Sequence, residues 1–133
     1  MKAIVLAVRI LLGLTFVVFG ANFFLNLFDL PRPTPTPAAA HFMTAITTTH
    51  YMKIIKVFEI SGGVLLLTGL FAPLGLVLVT PVIVNIILYD FVLMGQPGLG
   101  IPLLAMALFL IWAYRPYFAS VFTFNAKPAG KAG

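Results

Sequence analysis

Between Tyr51 and Phe71 the chain is apolar except where Lys53, Lys56 and Glu59 enter it. The run is long enough to cross a bilayer as a helix, which takes about 20 residues, and each charge is expensive to strand in hydrocarbon. Any fold for this chain must answer those charges from neighbouring elements. Three further apolar runs carry polar groups near a similar depth. Together they predict an all-α fold, a transmembrane four-helix bundle closed around a polar cluster.

Composition carries the membrane reading beyond that one run. The 133 residues are 62% hydrophobic and 8% charged, whereas soluble domains are roughly half apolar and about a quarter charged. The length fits four spans of about 20 residues, with no extramembrane catalytic domain. Cysteine is absent, which excludes disulfides, thiolate nucleophiles and iron–sulfur ligation by this chain. His41 and His50 are half a turn out of phase on a helix and lie outside the spans, so neither a paired metal site nor bis-histidine haem ligation is expected. The net charge of +5 comes from basic residues that are scattered. No basic stripe with interleaved aromatics points to nucleic acid, and the expected partner is the lipid bilayer.

The first span is expected over residues 3–28. Arg9 interrupts what would otherwise be the core of a secretory signal, and no Ala-x-Ala follows, so the span is read as retained. Gly13 and Gly20 share a face on which a second helix can approach. Asn22, Asn26 and Asp29 form a polar ridge at its far end. Pro31, Pro33, Pro35 and Pro37 then make a stiff extended loop, and residues 41–50 are read as a short interfacial helix. The remaining spans are placed at 51–71, 74–94 with Pro81 kinking it, and 101–122, the last ending in the aromatic belt of Trp112, Tyr114, Tyr117 and Phe118. These make one bundle over residues 1–124, followed by a short basic mobile tail, 125–133. Lys2, Arg9, Arg115, Lys127 and Lys131 fall on the side of the termini, which predicts cytoplasmic termini by the positive-inside rule.

Depth along the helices groups the polar residues. At about 1.5 Å per residue, Glu59 lies about 18 Å and Asn85 about 16 Å above the cytoplasmic ends of their spans. Lys56, Tyr89 and Asp90 come next, at about 22–24 Å, and then Lys53 and Asn22, at about 27–28 Å. Lys56 and Glu59 share one helix face; Asn85 and Tyr89 share another. Because Lys56 precedes Glu59, the weaker order for a pair within one helix, a partner from a different helix is expected. Asp90 is a candidate counter-ion for Lys53 or Lys56. Two readings stay open: a buried network that fixes helix register, or a site for a polar headgroup or proton-linked ligand. Ser61, Gly62 and Gly63 are read as packing positions.

The order of these features resembles the DoxX family of small membrane proteins. The matching pieces are Arg9-Ile-Leu-Leu-Gly13, Phe19-Gly20-Ala-Asn22, the alternating prolines, Lys56-Val-Phe-Glu59-Ile-Ser-Gly62-Gly63, Ala72-Pro-Leu-Gly, Pro81-Val-Ile-Val-Asn85 and Ala113-Tyr114-Arg115. The resemblance implies a four-helix membrane bundle in a bacterial cytoplasmic membrane. It also implies a link to quinone-dependent redox complexes of the quinol oxidase or thiosulfate:quinone oxidoreductase type. On that reading the chain is an accessory or quinone-interacting subunit, not catalytic alone, with quinone or quinol as its ligand and redox subunits or further copies of itself as partners. Lys56, Glu59, Asn85 and Tyr89 would bond the quinone carbonyls. A small-solute or proton-linked transporter and a purely structural assembly subunit are the alternatives.

Overall fold

In the computed structural model, which describes residues 1–130, every regular element is helical. Four long helices carry the fold: α1 (Lys2–Leu25), α3 (Tyr51–Thr68), α4 (Ala72–Leu88) and α5 (Gly100–Ala113), with a short α2 (Pro37–Thr47) between the first two. They pack in a ring, α1 on α3, α3 on α4, α4 on α5 and α5 back on α1. Leu12, Leu66, Leu76, Ile83 and Leu110 fill the middle and are almost wholly buried.

Glycine sets how closely α3 sits between its neighbours. A Cβ at Gly13 would stand 2.7 Å from the Gly63 carbonyl oxygen, and one at Gly63 would stand 2.8 Å from that of Gly13. On the opposite side a Cβ at Gly62 would stand 2.5 Å from Val79 Cγ1, and one at Gly75 3.0 Å from the Gly62 carbonyl oxygen. Backbone thus meets backbone on two faces of α3, as small residues allow where lipid supplies no hydrophobic drive to associate. The reading of Gly13 and Gly62-Gly63 as packing positions holds.

Outside the ring the surface is apolar. Ile10 and Leu14 on α1, Ile54 and Val57 on α3, Val77 and Val84 on α4 and Leu108 on α5 are all exposed. Water would not tolerate so continuous an apolar surface, and lipid would. By length and apolarity α1 and the stretch Ala72–Leu93 suffice to cross a membrane; α5 is apolar but shorter.

The ends of the elements differ from the sequence expectation for local reasons. α4 runs through Pro81, which lies inside it as expected. A single π-helical turn, Tyr89–Leu93, then follows. α5 stops at Ala113, because Pro116 has no N–H to continue the ladder, and two short 3-10 turns, Arg115–Tyr117 and Ala119–Phe122, replace the last turns of the expected span. α2 starts earlier than expected, at Pro37. Thr36 caps it, its hydroxyl accepting from Ala39 N at 3.2 Å and donating to the Leu93 carbonyl at 2.5 Å, so the proline loop is tied to the π turn. The tail up to residue 130 is without helix or strand. The rest of the expected mobile tail, including Lys131, lies outside the described residues.

Candidate functional site

Among the described residues Glu59 is the one buried polar side chain, 4% exposed. Its place follows from α3: Gly63, one turn on, faces α1, and Gly62, three residues on, faces α4, so Glu59 points into the bundle between those two contacts. Its partner comes from its own helix. Lys56 Nζ lies 2.9 Å from Glu59 Oε2, where a partner from another helix was expected. An exposed Lys–Glu pair in this order is weak, but low dielectric strengthens it here, and no second cation reaches the carboxylate among the described residues.

Lys56 also faces α1. Its ammonium stands 5.9 Å from the centre of the Phe23 ring, within reach of a cation–π contact. Beside it, Ile60 fills the space left by Gly20. The site is therefore a seam between α1 and α3, made of a buried carboxylate, a half-buried ammonium and an aromatic wall. Phe23 was not singled out from the sequence. Its depth, next to Asn22 and level with the lysines, is the signal that would have found it.

The rest of the expected cluster is elsewhere. Asn85 is exposed on the outer face of α4, its amide donating to the Pro81 carbonyl at 3.0 Å, and does not meet Glu59. Gly75 and Val79, which touch α3, fix the rotation of α4 and turn Asn85 away. Asp90 is no counter-ion for Lys53 or Lys56: its Oδ2 accepts from Gly100 N at 3.1 Å and so caps α5. Lys53 is exposed. Asn22 closes the turn after α1, donating to the Phe28 carbonyl at 3.0 Å and accepting from Phe28 N at 2.9 Å. Tyr89 is half-buried against Phe42 of α2, ring centres 6.0 Å apart, and so lies at the outer rim. His41 and His50 are exposed and belong to no metal-ligating cluster among the described residues.

A second polar group lies at the other end. Arg9, read from the sequence as the charge that interrupts a would-be signal core and falls on the side of the termini, donates to the Tyr114 hydroxyl at 3.2 Å. Its guanidinium lies against Gly69, where a Cβ would come within 2.8 Å of it. Gly69 is the left-handed cap of α3 (φ 79°), so the cation sits at the negative end of that helix.

Comparison with known proteins agrees with the residues that suggested a family. The DoxX family model matches residues 4–94, which holds α1, the proline loop, the Lys56–Glu59 pair and α4 with its π turn. The chain is also 34% identical over 128 residues to Uncharacterized protein YwoB of Bacillus subtilis (strain 168), covering 91% of this chain and 83% of that one. No solved structure matches it. With helices that are apolar on the outside and a family match over most of its length, the chain is a membrane protein and belongs to the DoxX family.

Proposed function

We propose that this DoxX-family protein crosses the membrane with all four long helices, termini in the cytoplasm, and serves a redox complex as a subunit that binds quinone or quinol. The observation that carries the reading is the Lys56–Glu59 pair in the α1–α3 seam, 2.9 Å apart and walled by Phe23. A quinone head group asks for a donor to its carbonyl, an acceptor for the quinol hydroxyl and an apolar face against its ring. Lys56, Glu59 and Phe23 are of those kinds, in that order. The exposed apolar side chains of α1 and α3 offer the isoprenoid tail a surface continuous with lipid. Asn85 and Tyr89 have no part in this smaller site.

Charge and proton handling fall to the pair alone. Of the two protons and two electrons that quinol gives up, Glu59 can take one hydroxyl proton while Lys56 offsets the charge, and the second proton and both electrons pass to a partner subunit that carries a base and a redox centre. A solute path through the middle of a single chain is disfavoured, because Leu12, Leu66, Ile83 and Leu110 close it.

The test is a binding isotherm for a short-chain quinone on the purified protein in nanodiscs. Saturable binding is expected for the wild type, weakened at least about tenfold in the double variant Lys56→Met with Glu59→Gln, a loss of about 1.4 kcal/mol or more. Unchanged binding in that variant removes the seam as the site.

A further inference from the structure

At the end of the bundle that carries Arg9, three cations line one groove. Lys2 and Arg9 of α1 stand on one wall, and Arg115, just past α5, on the other, with Trp112 and Tyr114 between them, around a space of about 550 Å³. None of the sequence's three acidic residues reaches it: Glu59 is paired with Lys56, Asp90 caps α5 through Gly100, and Asp29 follows the opposite end of α1. Among the described residues the cations therefore face the groove without a carboxylate. The first turn of α1 has no acidic residue and no side-chain cap, so its free N–H groups add to the positive potential of that end.

Arg9 has donors to spare among the described residues. One of its terminal nitrogens bonds Tyr114, while its Nε is buried without a partner. A guanidinium offers five donors in a flat fork suited to phosphate oxygens, and buried donors rarely stay unmatched. Gly69 and Tyr114 hold the fork in place from two sides.

A second groove, of about 610 Å³, shares Trp112 and Arg115 with the first and continues along apolar side chains, Leu108, Ile111, Phe118 and Phe122. A positive pocket and an apolar channel thus meet at one tryptophan, at the end of helices with apolar outer faces. From this juxtaposition we infer that the two grooves form a binding site for an anionic phospholipid. Lys2, Arg9 and Arg115 take the phosphate, and an acyl chain lies past Trp112 along α5. Free phosphate would use the first groove only. A lipid uses both, and this end is the one whose charges favour the cytoplasmic leaflet, where anionic lipids attract clustered Lys and Arg.

Trp112 is the sole tryptophan in the sequence, so its fluorescence reads the site directly. Full-length protein in nanodiscs of phosphatidylcholine would be given increasing fractions of phosphatidylglycerol with brominated acyl chains, which quench indole on contact, and in parallel brominated phosphatidylcholine. Quenching by the phosphatidylglycerol is expected to saturate at least about tenfold lower in lipid fraction than by the phosphatidylcholine, and 10 mM inorganic phosphate is expected to leave it in place. Removing one cation costs about fivefold in apparent affinity. Arg9→Gln and the exposed Lys2→Gln are each expected to show that loss, and Lys2 makes no side-chain bond on which folding depends, so its variant keeps the test decisive if Arg9→Gln fails to fold. Equal quenching by both lipids, or an unaltered phosphatidylglycerol curve in Lys2→Gln, overturns the inference. So does full displacement by inorganic phosphate, which would reassign the groove to a soluble anion.

Discussion

Asp90 illustrates how much a single side chain's neighbours decide. On sequence it is one of only three acids, set at the depth of two lysines, and electrostatics alone would pair them. Its carboxylate instead holds Gly100 N, and a Cβ at Gly98 would press within 2.8 Å of it. Asp90→Ala is expected to destabilise the fold by about 1 kcal/mol, the usual cost of losing a helix cap, while Asp90→Asn, which keeps an acceptor, costs a few tenths. Thermal unfolding of the two variants in nanodiscs checks this; equal losses would show that charge rather than capping matters. Glu59 was legible as a buried group because a carboxylate in an apolar run has few other places to go. Its partner was not, since the rule against Lys-before-Glu pairs comes from exposed helices, and burial changes its weight. Arg9 had a signal in the sequence, a lone cation in an apolar run that must find acceptors, but nothing in it singled out the end of α3 at Gly69 or Tyr114.

At the scale of elements, α3 is the helix that fixes the others. The Gly13–Gly63 and Gly62–Gly75 contacts bring its backbone against α1 and α4 with no room for a methyl group. Gly63→Ala is expected to cost about 1–3 kcal/mol through forced separation of α1 from α3, read as a lower unfolding midpoint. Ser61→Ala, at a neighbouring exposed position, serves as the control and is expected to change stability by less than about 0.5 kcal/mol. The glycine spacing and the four helices were readable from sequence, since apolar runs, prolines and small residues state them locally. The rotation of α4 was not. Axial depth placed Asn85 level with Glu59, but azimuth is decided by which small residues meet α3, and Gly75 with Val79 turn the Pro81–Asn85 face outward. The early end of α5 was legible in outline from Pro116, and the π turn at Tyr89–Leu93 had no sequence signal of its own.

Among the described residues, charge gathers in three places, the seam at Lys56 and Glu59, the groove at Lys2, Arg9 and Arg115, and the exposed outer rim with Lys53, apart from Lys127 on the exposed tail. Between them the interior is closed by aliphatic side chains, so no continuous polar network joins the three places. The seam is the costliest of the three, because removing one member of a buried pair leaves the other uncompensated. A double-mutant cycle on stability in nanodiscs tests it most directly. Lys56→Met alone is expected to lose on the order of 3 kcal/mol, and adding Glu59→Gln is expected to restore at least half of that loss. If the two single losses simply add in the double variant, Lys56 and Glu59 do not answer each other and the seam is not the site described here.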